Sequence, residues 1–84
     1  MDGMTPKRAR LAEMRHREPE VLNKFAFLIK QKRLKYKIKQ QYLADHLGIK
    51  RPALAMIETM RARPGFMTTL MIMKKLKIEL RDLI

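Results

Sequence analysis

Residues Gln40–Pro64 read QQYLADHLGIKRPALAMIETMRARP. Around Lys39 to Leu47, the apolar residues Tyr42, Leu43 and Leu47 recur at helical spacing and predict a helix with one inward face. Gly48 stands just past the last of them, where a residue without a Cβ enters the left-handed region at least cost and ends the helix. Pro52 restarts a helix within its first turn and carries Leu54 and Ile57 inward. Ala44 supplies the small side chain that a close helix crossing needs. Ile49, Leu54 and Ile57 fill the angle between the two helices. Pro64-Gly65 then breaks the chain again.

Working outward, Leu22, Phe25, Ala26, Ile29 and Arg33 share one face of a first core helix running from Glu20 to Leu34 or Tyr36. Phe66, Thr69, Leu70, Met73 and Leu76 predict the inner face of a fourth helix, and Glu79–Ile84 closes the chain through Leu80 and Leu83. Thr5-Pro6 reads as a cap followed by Pro at the first helical position. The charged stretch it opens, to about Arg17, has too few apolar residues to bury much. No segment alternates with period two. The expected fold is all-α, with five short helices in a domain of residues 20–84. Residues 1–19 form a basic N-terminal arm, flexible or weakly helical.

The 84 residues hold 20 Lys and Arg against eight Asp and Glu, a net charge of +12. Residues 1–20 carry a net +1, so the remaining +11 belongs to the folded body. Between Val21 and Ala44 there is no acidic residue. Such an excess calls for a polyanionic partner. Cys and Ser are both absent, which removes disulfides, thiolate metal sites and the two commonest nucleophiles; an enzyme is not expected. His16 and His46 stand alone, so no metal and no cofactor is expected. Tyr36 and Tyr42 read as core or rim residues in preference to base-stacking platforms. No apolar run reaches a membrane span, and the expected location is cytoplasmic. The prolines interrupt any continuous interfacial helix, which argues against a membrane-surface role.

Taken together, Gln40, Leu43-Ala44, Leu47-Gly48-Ile49, Ile57-Glu58, Pro64 and Ile78–Ile84 resemble the helix-turn-helix domain of the lambda-repressor, Cro and XRE-type regulators. The resemblance runs from Phe25 to Ile84. It implies a sequence-specific DNA-binding transcriptional regulator, a repressor, acting as a homodimer on a near-palindromic operator in double-stranded DNA. Its third helix, residues 51–58, would enter the major groove. Lys50, Arg51, Pro52, Ala55 and Met56 would face the bases, with Arg51 best suited to a guanine edge. Lys37, Lys39, Gln40, Arg61 and Arg63 would meet the backbone. In the arm, the Lys7, Arg8 and Arg10 cluster suits phosphates or a minor groove.

The resemblance further implies that Arg33, on the inner face of the first helix, pairs with Glu58 as a structural ion pair. Met67 and Met71, read as lying opposite Leu70 and Met73, form a dimer or partner interface with Leu83 and Ile84. The alternative function is an antitoxin that binds DNA and holds a toxin on this same patch or on the arm. This chain departs from the family pattern in having Lys37, Met60 and Lys77 where glycines often end helices. Either those turns are strained or the loops take another path. Gly65 stands where a Ser or Thr cap is common.

Overall fold

In the structure, a computed structural model, the backbone of residues 6–84 and the side chains of residues 19–84 are described. Four α-helices follow one another: α1 Pro6–Lys35, α2 Gln40–Leu47, α3 Arg51–Glu58 and α4 Phe66–Leu76. A single 3-10 turn, Leu80–Asp82, stands where a fifth helix was expected. Glu79 and Asp82 cap it reciprocally.

All four helices end alike. The amides of Ile38, Ile49, Arg61 and Ile78 each reach back five residues, to the carbonyls of Arg33, Ala44, Met56 and Met73. This closure needs a left-handed residue just before the donor. Gly48 fills that place after α2 with φ 70°, and Lys37, Met60 and Lys77 fill it elsewhere with φ 57°, 65° and 57°. The turns are therefore strained, and the loops take no other path. Three of the four amide donors are isoleucines that fold back on the core: Ile78 is buried, while Ile38 and Ile49 pack against it half-buried. Burial of each such side chain offsets the strain, being worth about 1.5–3 kcal/mol when complete.

The core gathers Phe25 and Ile29 of α1, Leu43, Ala44 and Leu47 of α2, Leu54 and Ile57 of α3, Ile72 and Leu76 of α4, and Ile78 and Leu83 beyond it. Expectation and structure differ at four places. First, α1 runs unbroken through Pro19, which reads as a helix boundary in the sequence. The proline has no N–H to offer the carbonyl of Arg15, a loss that ordinarily kinks or stops a helix, yet α1 continues across it. Second, Tyr42 is exposed, because Leu43, Ala44 and Leu47 already fill the inward arc of α2. Third, α4 buries Ile72 and Leu76 and turns Phe66 and Leu70 outward. Fourth, Leu83 is buried and Leu80 exposed. α4 still starts at Phe66, with Gly65 as its N-cap.

Candidate nucleic-acid interface

α2 and α3 meet through the turn at Gly48, and that crossing presents the N-terminus of each helix. Their N-cap residues are Lys39 and Lys50, neither of which caps its helix through a side chain, and neither helix has an acidic residue in its first turn. The first backbone amides of α2, and in α3 those of Arg51 and Ala53 since Pro52 has none, are thus left for an outside acceptor, and the helix dipole favours an anion there. Lys37, Lys39, Lys50 and Arg51 are all exposed around these two ends.

Along α3, Leu54 and Ile57 turn into the core. The opposite face holds Arg51, Pro52 and Met56, exposed, with Ala55 half-buried beside them. Arg51 is not loose on this face. Its Nε donates to Gln40 Oε1 at 3.3 Å, and Gln40 Nε2 donates to Glu58 Oε1 at 3.3 Å. Glu58 in turn accepts from Arg33, through Nε to Oε2 at 2.9 Å and Nη2 to Oε1 at 3.2 Å. The remaining Arg33 nitrogen, Nη1, donates to the Ile38 carbonyl at 3.0 Å. Arg33 and Glu58 have side chains only 10% and 4% exposed, so the pair is a two-pronged buried ion pair that leaves no charge bare.

These contacts set the face in the fold. Arg33 fixes the end of α1 by holding Ile38, Glu58 fixes the end of α3, and Gln40 ties the start of α2 to both. Arg51 stands at the outer end of this chain, with one guanidinium edge restrained and the rest of the group toward solvent. A restrained guanidinium loses less freedom when it forms a paired contact with a planar acceptor. Gln40 was read as a backbone contact; in the structure its amide lies between Glu58 and Arg51. No spacing in the sequence signals that position.

Beyond α3, the Arg61 amide bonds the Met56 carbonyl at 2.8 Å, which holds that exposed cation close to the end of the helix. Arg63 is exposed in the same loop. The side chains of Lys7, Arg8 and Arg10 lie outside the described residues. Tyr36 and Tyr42 sit at the rim under lysines: Lys77 Nζ is 5.9 Å from the Tyr36 ring centre and Lys75 Nζ is 5.2 Å from that of Tyr42. Of the expected interface residues, Met67, Met71 and Ile84 are exposed while Leu83 belongs to the core. Phe66 and Leu70 join the two methionines on the outer ridge of α4, contrary to the reading that set Leu70 opposite them.

The arrangement offers cations, unfilled helix N-termini and one tethered arginine, the chemistry of a surface for a polyanion with planar acceptor edges. Among the described residues no group of three or more His, Cys, Asp or Glu is placed to hold a metal ion. No described helix is long and apolar enough to cross a membrane. A family model described as helix-turn-helix matches residues 29–83, more than half of the chain. No curated protein and no solved structure matches the chain.

Proposed function

The chain belongs to the helix-turn-helix family, a non-catalytic family of DNA-binding transcriptional regulators, and from that premise we propose that it is a sequence-specific repressor of the lambda-repressor, Cro and XRE type. It binds a near-palindromic operator as a homodimer, with α3 in the major groove. The observation that carries this reading is the tethered Arg51 on an exposed α3 face whose opposite side is core. Arg51 reads a guanine edge, and Met56, one turn on, favours a thymine methyl. Pro52 and Ala55 shape the contact, and Lys50 adds a second cation. Lys37, Lys39, Arg61 and Arg63 hold phosphates, as do Lys7, Arg8 and Arg10 of the arm.

Dimerisation rests on α4. Phe66, Met67, Leu70 and Met71 form an unbroken apolar ridge on its exposed side. Two copies crossing antiparallel set Phe66 against Met71 and Met67 against Leu70, with the two Lys74 residues at opposite ends. Such a contact is self-complementary, as a twofold dimer requires. The antitoxin reading gives the same ridge to a toxin.

The test is selection of bound sequences from a random DNA pool, followed by titration of variants. Arg51→Ala is expected to lose about 1–3 kcal/mol on the selected site and to relax one base pair per half-site. Arg61→Ala is expected to weaken selected and scrambled DNA alike, with a shallower salt dependence. Equal losses on every sequence for Arg51→Ala refute direct readout by α3.

A further inference from the structure

The outer side of α1 carries a second apolar surface that the DNA-reading face does not use. Phe27 and Leu34 are 63% and 59% exposed, and seven residues, two helical turns, separate them on one ridge. Across from them stands Met60, 41% exposed, held at the lip of the α3–α4 turn in the left-handed conformation that glycine would adopt more cheaply. Between the two walls lies an open groove of about 650 Å³, lined also by Lys30, Gln31 and Thr59. Among the described residues, none assigned to DNA lines it. Monomeric domains seldom leave large apolar side chains grouped this way unless a partner covers them.

Charge decides the kind of partner. Lys24 and Lys30, both exposed, flank Phe27 three residues to either side, and no acidic residue occurs from Val21 to Ala44. Glu58, the one carboxylate among the described residues that line the groove, already accepts hydrogen bonds from Arg33 and Gln40. Glu20, the nearest acid along the same ridge, lies two turns before Phe27, outside the lining residues. A second copy crossing here would set its own Lys30 beside this one with no carboxylate between them, which like-charge repulsion opposes. DNA supplies the negative charge but nothing to cover Phe27 and Leu34. We infer that this groove docks an acidic amphipathic helix of a partner protein. Its apolar residues at i, i+3 or i+4, and i+7 sit between Phe27, Leu34 and Met60, and its Asp and Glu residues face Lys24 and Lys30.

The experiment uses the full chain as bait for a library of displayed random peptides about three to four helical turns long, with an unrelated basic helical protein as counter-selection. The expected winners are acidic, with large apolar residues at helical spacing. Their synthetic forms should bind at least about tenfold more weakly to a Phe27→Ser, Leu34→Ser double variant, the size of loss that follows when a central apolar anchor is removed. That variant should keep wild-type circular dichroism and DNA affinity. Lys24→Glu with Lys30→Glu, which spares the apolar ridge, should weaken the same peptides and relieve the preference for acids. The proposal is overturned if no peptide is enriched over the counter-selection, if the winners are neutral or basic, or if they bind both double variants as well as wild type. It is equally overturned if wild type sediments as a dimer that Phe27→Ser alone dissociates, since a second copy would then occupy the groove.

Discussion

Replacing Lys37, Met60 and Lys77 by glycine, singly and together, measures what the strained helix ends cost. Each sits at φ 57–65°, where an L-residue loses about 1–2 kcal/mol relative to the right-handed form. Glycine removes that penalty but frees the unfolded chain, giving back about 0.4–1 kcal/mol. The net gain is about 0.5–1 kcal/mol per site, and about 1.5–3 kcal/mol for the triple variant if the sites add. Lys77→Gly should gain least, because it also removes the ammonium 5.9 Å from the Tyr36 ring, an exposed contact worth about 0.5 kcal/mol. For a domain this small, the triple change raises the melting temperature on the order of 10 °C.

Gly48 supplies the internal calibration. A Cβ built there meets nothing within 4 Å, so Gly48→Ala is expected to destabilise by the same backbone term with opposite sign. Urea unfolding followed by circular dichroism reads all five variants on one scale. A triple variant less stable than wild type, or a neutral Gly48→Ala, refutes the strain account. Lys37→Gly carries a second signature: greater stability together with weaker DNA binding, since the proposed phosphate contact goes with the side chain.

Arg33→Ala and Glu58→Ala should each cost about 3–5 kcal/mol, and the double variant less than their sum, because either single change leaves a buried charge unmatched. Additive losses in the unfolding cycle would mean that the pair is not a unit. Met67→Lys with Met71→Lys should give a folded monomer with weakened operator binding. If sedimentation velocity finds that double variant still dimeric, α4 is not the interface.

The crossing of α2 and α3 was legible because each boundary has its own chemical marker, Gly48 for the stop and Pro52 for the restart, and because few apolar residues compete for the inner faces. α4 lacked that clarity. Residues Phe66–Leu76 read FMTTLMIMKKL, so apolar side chains recur on more than one face, and helical spacing alone fits a stripe through Phe66 and Leu70 as well as one through Ile72 and Leu76. Packing against α1 and α2 selects the second. Pro19 misled for a different reason. Proline reads as a boundary because it usually is one, yet a single lost hydrogen bond near an exposed position does not stop a helix already propagating. The Arg33–Glu58 pair was expected through family resemblance, whereas the bond from Gln40 to Arg51 depends on side-chain reach across two helices, which no linear pattern encodes.

That bond has a consequence for how the protein acquires new target sites over generations. Of the four side chains linked from Arg33 to Arg51, the inner two hold the fold, while Arg51 ends the series in solvent and nothing structural depends on it. Under the proposed readout by Arg51, position 51 is therefore the cheap place to change a preferred base, and position 58 the costly one. Position 40 is intermediate, since a different side chain there releases Arg51 while Arg33 still holds Glu58. A library randomised at 51 should yield folded domains with shifted base preferences. One randomised at 58 should return mostly chains destabilised by about 3–5 kcal/mol, so new specificities are expected to enter from the outer end of the network inward.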